Sequence, residues 1–277
     1  MPKDIVYIGS SYYCLEKLIE SDKFNVVDIL CLRKKINENI QNSANKINQK
    51  IRVFDWIKDF KSIILEYDKS TVFLIYQLDM LVPKYITENY NFYNLHRGDL
   101  KTNRGPCPDI WTVLLGEKNT SISLHRINEK IDSGLLIGSY DIIVDKNDDP
   151  RTVKINLEKG IPSLINMLSD HLLGTIDGTP IHDGEYRPWI NEQDYTIDLD
   201  NDSIDCMQRK ILCQYQYNGA ILHYDGSKRY VKNVSTNPHA LAGNILKIER
   251  LLTAVYFEEN TDPHYSPPPY RPPSNRV

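Results

Sequence analysis

Short apolar runs alternate with helical patterns along the first half of the chain. Runs of strand length cover residues 4–8, 25–32, 51–54 and 71–76. Apolar residues recur at helical spacing between several of them, over residues 12–20 and 55–67, with Asp55 as the expected N-cap. Residues 35–50 are polar and predict an exposed helix or loop. Because strands and helices alternate, the pattern predicts an α/β protein with a parallel, doubly wound sheet.

Residues 91–96 predict a further strand, in which Asn94 and His96 lie two positions apart. Side chains alternate between the two faces of a strand, so both should project to one side. The polar residues 97–109 contain glycine and proline and predict a loop. The pair therefore stands at a strand end, where open α/β sheets bind ligands.

Three segments after this loop continue the alternation: a helix over residues 110–115 and strands over residues 120–127 and 135–144. We expect Asp109 to cap that helix and Gly116 to end it. A long helical pattern begins at residue 149 and contains Gly160 and Pro162, so we expect it to kink or break there.

The pattern changes near residue 179. A helix is predicted over residues 204–214, and residues 219–234 predict a β-hairpin because Asp225-Gly226 is a favoured two-residue turn. Residues 247–257 predict one more strand. We expect residues 1–185 to form the main domain, residues 186–260 a small β-rich extension containing the hairpin, and residues 261–277 a proline-rich, extended or disordered tail.

Composition narrows the class of protein. The chain has 277 residues, 41% of them hydrophobic, and a formal net charge of −4, which suits a sizeable core and argues against a nucleic-acid surface over the whole molecule. Five scattered cysteines without a CxxC pair indicate reduced thiols rather than disulfides or a zinc ribbon. No apolar run approaches the ~18 residues of a membrane span. We therefore expect a cytoplasmic protein with no membrane partner and no metal.

The candidate chemistry lies in Asn94, His96 and Asp132. A histidine exchanges a proton near neutral pH, an amide can donate to a developing oxyanion, and a carboxylate can orient an imidazole or relay protons. Together they suit attack by an amine on an acyl carbon. The alternative is an ordinary Asn-x-His pair and an aspartate that caps its own turn. A single glycine after the first strand gives no support for NAD binding.

The segment around these residues resembles the core of the formyltransferase family that uses 10-formyltetrahydrofolate. The resemblance rests on the Asn94-x-His96 strand, the loop ending Arg104-Gly105-Pro106, Trp111 in the next helix, and the run from residue 123 to residue 134 that contains His125 and Asp132. It extends in order over residues 4–200. It implies a Rossmann-like, mixed and mostly parallel sheet, the formyltransferase fold.

The resemblance also implies a role for each residue. Asn94 would polarise the formyl oxygen, His96 would transfer a proton with the attacking amine, and Asp132 would hold His96 or an ordered water. The folate pterin would lie against backbone groups of two loops. The candidate cofactor-binding residues in those loops are Leu78, Met80, Leu81, Val82, Ile127, Lys130 and Ile131.

One departure from the family affects the acceptor side. Where the family has His-Pro-Ser-Leu-Leu-Pro, residues 96–101 read HRGDLK, which makes the loop more charged and more flexible. Candidate contacts to a pyrophosphate are Arg97, Lys101 and Arg104, because guanidinium and ammonium groups favour phosphate oxygens. Trp189 and Tyr224 are candidates for stacking on a base, with ordinary packing as the alternative. We interpret His125 as a structural histidine.

Among family members, the sugar-nucleotide N-formyltransferases resemble this chain best, since a short β-rich extension follows the core instead of the full basic domain that tRNA requires. The resemblance implies formyl transfer from 10-formyltetrahydrofolate to a nucleotide-linked amino sugar for a bacterial surface polysaccharide. The favoured acceptor is dTDP-4-amino-4,6-dideoxyglucose, and the extension is expected to form a homodimer contact. The alternatives are glycinamide ribonucleotide or methionyl-tRNA as acceptor, or a catalytically silent folate- or nucleotide-binding protein.

Overall fold

The structure is a computed structural model, and it describes residues 2–214, 216–250 and 253–260. The described chain divides into two compact units. The first comprises residues 2–105, Ser121–Ile142 and Ile155–Tyr186, and the second comprises Pro106–Thr120, Ile143–Lys154 and the described residues from Arg187 onward. The three-segment division made from the sequence stays a prediction. Its proline-rich tail, residues 261–277, lies outside the described residues.

The larger sheet contains eight of the described strands. They are β1 (Lys3–Gly9), β2 (Phe24–Leu32), β3 (Ile51–Phe54), β4 (Val72–Tyr76), β5 (Asn91–His96), β6 (Asn119–Arg126), β7 (Leu135–Ile143) and β8 (Thr179–Pro180). Their order across the sheet is β3-β2-β1-β4-β5-β6-β7-β8. The first five pair in parallel, whereas β5 with β6 and β7 with β8 pair antiparallel. The predicted mixed, mostly parallel sheet is confirmed.

The strand order reverses its direction between β1 and β4. From β1 the chain first builds outward through β2 and β3, and then returns to the other side of β1 with β4 and β5. The carboxyl ends of the strands at such a switch point line a crevice, because the connections leave in opposite directions. Four residues of β1 in a row are fully buried, as expected for a strand covered on both faces: Ile5, Val6, Tyr7 and Ile8.

Eight α-helices lie in the described residues. They are α1 (Tyr12–Glu20), α2 (Glu38–Lys46), α3 (Ile57–Ile64), α4 (Lys84–Asn89), α5 (Pro108–Leu115), α6 (Pro150–Glu158), α7 (Ile161–Leu172) and α8 (Ile204–Cys213). The predicted break near Gly160 and Pro162 is confirmed, since it separates α6 from α7. Helix α2 is less exposed than predicted, because it buries Ile40, Ser43 and Ala44.

The N-cap predicted for α3 is wrong. The helix begins after Trp56, and the Asp59 carboxylate accepts a hydrogen bond from the Trp56 backbone N–H at 3.3 Å. Asp55 lies one residue further out, and its carboxylate pairs with Arg33 at 2.9 Å. A side chain that reaches back from the third helical residue has here replaced the expected cap.

The N-cap predicted for α5 is also wrong, although its end is as predicted. Cys107 is the cap and adopts a left-handed conformation with φ of 57°. Pro108 takes the first helical position, where a missing N–H costs nothing, so Asp109 falls within the first turn. Gly116 ends the helix with φ of 68°, a conformation that glycine adopts without steric cost.

The second unit contains a five-stranded sheet. Its strands are β9 (Thr196–Ile197), β10 (Ala220–Tyr224), β11 (Ser227–Ser235), β12 (Ile245–Arg250) and β13 (Thr253–Glu259), in the order β12-β13-β11-β10-β9. The predicted hairpin is confirmed as β10 and β11, with Asp225 and Gly226 both at positive φ as its turn requires. The single strand predicted over residues 247–257 is wrong, because β12 and β13 are antiparallel neighbours.

Each unit has its own apolar core. In the first, Phe73 and Phe92 of neighbouring strands stack with ring centroids 4.4 Å apart. In the second, Met207 and Ile211 of α8 pack against a cluster that includes Phe257. The homodimer contact expected of the extension stays a prediction. Within the described ranges, no helix combines the length and the apolar composition that a membrane span requires.

Candidate active site

Strand β5 carries the first two predicted catalytic residues at its carboxyl end. Asn94 and His96 lie on one face of the strand, and Leu95 between them is buried on the other. Because β5 is paired with β4 on one side and β6 on the other, its backbone is fixed. The amide and the imidazole are therefore held at a strand end, as the sequence predicted.

The loop between β6 and β7 carries Asp132. Asn128 closes this loop on itself: the Ser133 hydroxyl donates to Asn128 Oδ1 at 3.0 Å, and Asn128 Nδ2 donates to the Ser133 carbonyl at 3.1 Å. Gly134 passes so close to the Arg126 carbonyl that a Cβ there would lie 1.6 Å from the oxygen. This closure holds Asp132 in a left-handed conformation with φ of 46°.

The structure brings the three predicted catalytic side chains together. Asn94 Nδ2 lies 3.4 Å from Asp132 Oδ1, and His96 Nδ1 lies 3.4 Å from Asp132 Oδ2. The Gly105 backbone N–H donates to Oδ2 at 2.9 Å, so it links the loop after β5 to the same carboxylate. One carboxylate thus contacts an amide, an imidazole and a backbone donor.

The hydrogen-bond partners of His96 define its tautomer. Its Nε2 lies 2.8 Å from the Asn103 carbonyl, and a carbonyl only accepts, so Nε2 carries the hydrogen. Nδ1 is then the basic nitrogen, and it faces Asp132. Burial lowers the pKa of His96, and the negative charge of Asp132 offsets part of that effect. The ring is neutral near pH 7, with Nδ1 open to a proton.

Asp132 stays ionised. Burial by itself raises the pKa of its carboxyl group, but electrostatic interaction with the His96 imidazole, together with the contact to His125 and the hydrogen bond from the Gly105 N–H, outweighs burial. The pKa of Asp132 is therefore well below its usual range. A permanently charged carboxylate beside Nδ1 stabilises the imidazolium that forms when His96 takes up a proton.

The structure places His125, which we interpreted from the sequence as a structural histidine, beside two of the predicted catalytic side chains. Strands β5 and β6 pair in a register that sets His125 directly opposite Asn94. Its Nε2 lies 3.2 Å from Asn94 Nδ2 and 3.5 Å from Asp132 Oδ1, and the side chain is buried. The alternation of residues 120–127 predicted which face of the strand carries His125. Its contact with Asn94 also depends on the register of β5 and β6, which the alternation does not give.

The predicted cofactor-binding residues lie in two loops of the first unit, one after β4 and one after β6. Four of them are half-buried against the apolar core that contains Phe73: Leu78, Met80, Val82 and Ile127. The other three are exposed: Leu81, Lys130 and Ile131. An ion pair joins Lys84, the first residue of α4 at the end of one loop, to Glu129 in the other loop. Their role in cofactor binding stays a prediction.

The loop after β4 offers backbone groups as well as apolar side chains. Gln77 turns the chain out of the strand with φ of 62°. Within the described part of the chain, no backbone N–H or C=O of residues 78–82 bonds to another residue. Unpaired donors and acceptors beside apolar side chains fit the edge and the flat face of a pterin ring.

Arg97 and Lys101 differ in how the structure holds them. The Arg97 guanidinium lies over the Tyr76 ring, 5.7 Å from its centroid, and the Tyr76 hydroxyl donates to Glu158 Oε1 at 2.8 Å. Lys101 is exposed on the loop after β5. Arg97 is therefore anchored in the first unit directly after His96, whereas Lys101 extends into solvent. Their predicted contacts to a pyrophosphate stay predictions.

Backbone carbonyls of the first unit hold Arg104, and its predicted contact to a pyrophosphate stays a prediction. Its Nε donates to the Leu100 carbonyl at 2.6 Å, and its Nη2 donates to the Asp183 carbonyl at 2.9 Å. The chain at Gly184 lies close against the guanidinium, and the side chain is buried. These donors fix the loop that supplies Asn103 to His96.

Trp189 and Tyr224 belong to the second unit. Trp189 is half-buried, and Tyr224 is half-buried against the second apolar core. The packing of Tyr224 matches the alternative considered for it from the sequence. The base-stacking roles of both residues stay predictions.

The second unit also has an open cavity of about 700 Å³ that none of the predicted site residues lines. Lys210 in its wall is already bound to the Thr196 carbonyl at 2.8 Å and to Asp202 at 2.6 Å. Its charge is therefore satisfied within the unit. Among the described residues, no group of three or more histidine, cysteine or acidic side chains is arranged to hold a metal ion.

Comparison with known proteins identifies relatives of this chain. No family model matches it. A methionyl-tRNA formyltransferase from Prochlorococcus marinus (strain MIT 9312) is 25% identical over 198 residues, which are 66% of this chain and 60% of the relative. The chain thus spans about three fifths of the length of such curated relatives.

Solved structures share the fold over longer stretches. A 4-N formyltransferase from Francisella tularensis has a TM-score of 0.66 at 22% identity, covering 82% of this chain and 95% of that one. The sugar 3N-formyl transferase WlaRD, crystallised in the presence of dTDP and 5-N-formyl-THF, has a TM-score of 0.65 at 15% identity, covering 95% and 99%. The chain therefore has the formyltransferase fold, and the comparisons together support the formyltransferase family without distinguishing its branches.

Proposed function

We propose that this protein is an N-formyltransferase that moves a formyl group from a 10-formylated tetrahydrofolate to the amine of a nucleotide-linked amino sugar. The observation that carries the proposal is the convergence of Asn94 Nδ2 and His96 Nδ1 on the two oxygens of Asp132. An amide donor and a basic nitrogen beside one fixed carboxylate are the groups that acyl transfer to an amine requires.

The folate would supply an activated one-carbon carbonyl bound to a nitrogen that can leave. Asn94 would donate from Nδ2 to the formyl oxygen as negative charge develops there. His96 would take the proton of the attacking amine at Nδ1, and the charge of Asp132 would stabilise the imidazolium. The same proton can then pass to the departing nitrogen, so no covalent bond to the enzyme is needed.

The residues that would hold the folate are those of the loops after β4 and β6. The apolar side chains of Leu78, Met80, Val82 and Ile127 can cover a flat ring, and the unpaired backbone of residues 78–82 can bond its polar edge. Asn94 and His96 stand at the end of β5, between those two strands. This arrangement would place the formyl group of the folate beside Asn94 and His96 and its pterin ring against the two loops.

Two observations favour a nucleotide-linked amino sugar as acceptor. Structural similarity to two sugar N-formyltransferases extends over 96% and 99% of those chains, whereas sequence similarity to five curated methionyl-tRNA formyltransferases covers 59% to 71% of theirs. Arg97, anchored over Tyr76 next to His96, offers a guanidinium for a phosphate. We favour a dTDP-linked 4-amino-4,6-dideoxy sugar.

An acceptor screen tests the proposal. Purified protein is incubated with 10-formyltetrahydrofolate and one amine at a time: dTDP- and UDP-linked 3-amino and 4-amino sugars, glycinamide ribonucleotide, and methionyl-tRNA. We expect a formamide product with an amino-sugar nucleotide. Turnover confined to glycinamide ribonucleotide or methionyl-tRNA would support formyl transfer but contradict an amino-sugar nucleotide as the acceptor.

The rival from another class is a protein that binds folate or a nucleotide without catalysis. Calorimetry with 5-formyltetrahydrofolate and with dTDP would detect such binding. Binding together with no product from any amine would replace the enzyme proposal. The complete set of Asn94, His96 and Asp132 favours the enzyme, because a binding protein has no use for a basic nitrogen beside a buried carboxylate.

A further inference from the structure

We propose that His125 is a positioning residue for this reaction: it fixes the Asn94 amide with its NH₂ group, rather than its oxygen, beside Asp132. This inference rests on the proposed function for its catalytic meaning. Its structural content, the orientation of the Asn94 amide, can be measured without any turnover.

The position of His125 follows from the strand register. Asn94 and His125 are direct partners in the antiparallel pair of β5 and β6, so their side chains stand side by side on one face. His125 Nε2 lies 3.2 Å from Asn94 Nδ2, a closer approach than the 3.4 Å between Asn94 Nδ2 and Asp132 Oδ1. The shorter of the two contacts that orient Asn94 therefore comes from His125.

The protons on the ring follow from its acceptors. His125 Nδ1 lies 3.3 Å from the Arg126 carbonyl, which only accepts, so Nδ1 carries the hydrogen. With its hydrogen on Nδ1, the ring presents a lone pair at Nε2, which can accept from the Asn94 NH₂ group, whereas the amide oxygen has no hydrogen to donate. Rotating the amide by half a turn would set its oxygen against both Nε2 and Asp132, which is unfavourable.

The arrangement also shows which N–H of Asn94 a formyl oxygen could take over. Both N–H groups have an acceptor, Nε2 of His125 at 3.2 Å and Oδ1 of Asp132 at 3.4 Å. The contact to Asp132 is the longer of the two, so we expect the formyl oxygen to replace Oδ1 as the acceptor of that N–H. The contact with His125 would then hold the amide in place.

A purely structural histidine would be satisfied by other contacts. His125 is buried, and its one contact to the backbone uses Nδ1. Nε2 contacts only the two predicted catalytic side chains in the described part of the chain. Nδ1 therefore holds the ring to the backbone of its own strand, and Nε2 contacts the side chains of Asn94 and Asp132.

Two variants separate these functions. His125→Gln places an amide group near the position of Nε2 and can both accept from Asn94 and donate to Asp132. His125→Asn is shorter, so it can replace Nδ1 but cannot reach Asn94. We expect His125→Asn to lower kcat by about 100-fold, the usual cost of misplacing a reacting group by ~1 Å, with KM for both substrates changed less than about threefold. His125→Gln should stay within about tenfold of the parent kcat.

A readout independent of activity accompanies the kinetics. The side-chain amide protons of Asn94 are identified in the NMR spectrum as the pair lost in Asn94→Ala. Their exchange with solvent should stay as slow in His125→Gln as in the parent protein and become faster in His125→Asn, where the hydrogen bond to residue 125 is lost. Thermal unfolding of each variant confirms that the fold is retained.

Two results would overturn the inference, and a third separates it from the proposed function. Unchanged solvent exchange of the Asn94 amide protons and an unchanged kcat in His125→Asn would overturn the inference. Equal loss of kcat in both variants, with equal loss of thermal stability, would assign His125 to packing and also overturn it. If the parent protein formylates no amine, the proposed function fails, and the Asn94 resonances alone decide the role of His125.

Discussion

Asp132 and Asp202 are both largely shielded from solvent, but their carboxylates have very different neighbours. Asp132 of the first unit contacts Asn94, His96, His125 and a backbone N–H. In the second unit, Asp202 bonds to Lys210 at 2.6 Å, and the two side chains are only 11% and 16% exposed.

The difference between them lies in the partners. A lysine ammonium has no lone pair, so the Asp202 pair can hold a structure together but cannot accept a proton near neutral pH. An imidazole can, and Asp132 has two of them. Burial and full hydrogen bonding therefore do not identify a catalytic carboxylate. What distinguishes Asp132 from Asp202 is the capacity of its partners to exchange a proton. Substitutions in both units test this contrast.

The largest effect is expected from His96→Gln, which keeps a donor near the Asn103 carbonyl and removes the basic Nδ1. Loss of a proton-transfer group lowers kcat by about 10²–10⁴-fold. Steady-state formyl transfer to the best acceptor of the screen measures it. His182→Asn, at an exposed histidine, is the matched control and should keep the parent rate. Near-full turnover by His96→Gln would contradict the assignment.

Asn94→Ala removes the donor to the formyl oxygen and leaves the imidazole in place. Loss of one such donor lowers kcat by about 10²–10³-fold. Asn91→Ala is the control on the same strand, since that amide bonds to the Lys69 carbonyl instead. If the two alanine variants lose activity to the same extent, the effect belongs to strand β5 as a whole.

Lys210→Met tests the comparison from the second unit. Removing the cation leaves Asp202 without its charged partner, so we expect the free energy of unfolding to fall by about 1–3 kcal/mol, while kcat of the folded protein stays the same. Urea unfolding gives the first quantity. The control is Lys46→Met at the exposed pair with Glu16, where the loss should be below about 1 kcal/mol. A large loss of kcat in Lys210→Met would erase the contrast between the two carboxylates.

The smallest effect is a shift in the pH profile. Burial lowers the pKa of His96, and the reaction needs its neutral ring, so kcat should fall only below the ordinary histidine value of about 6.5. The charge of Asp132 raises the pKa of His96. Asp132→Asn removes that charge, so the acid limb should move to lower pH while the plateau drops. A limb that moves to higher pH would contradict the ion pair.

The sequence predicted the parts of the fold that depend on local pattern. Alternation set Asn94 and His96 on one face, Asp225-Gly226 set the hairpin, and Gly160 set the break between two helices. Each of these follows from a few neighbouring residues whose conformational preferences agree, so no knowledge of the tertiary path was needed.

The parts that depend on the tertiary path could not be predicted. The Asn103 carbonyl and the Gly105 N–H that hold His96 and Asp132 are backbone groups, so no side chain marks them. Arg104 had the right chemistry for a phosphate. Its burial depends on a hydrogen bond to the Asp183 carbonyl, which lies 79 residues further along the chain. His125 required the register of β5 and β6.

The most direct test of the central claim is a double-mutant cycle on His96 and Asp132, measured as single-turnover rates of formyl transfer with enzyme in excess. If Asp132 acts through His96, His96→Gln combined with Asp132→Asn should be within about tenfold of the slower single variant, because groups that act as a unit are not additive. Losses that multiply, or a His96→Gln variant as fast as the parent protein, would contradict the claim that this imidazole and carboxylate carry the reaction.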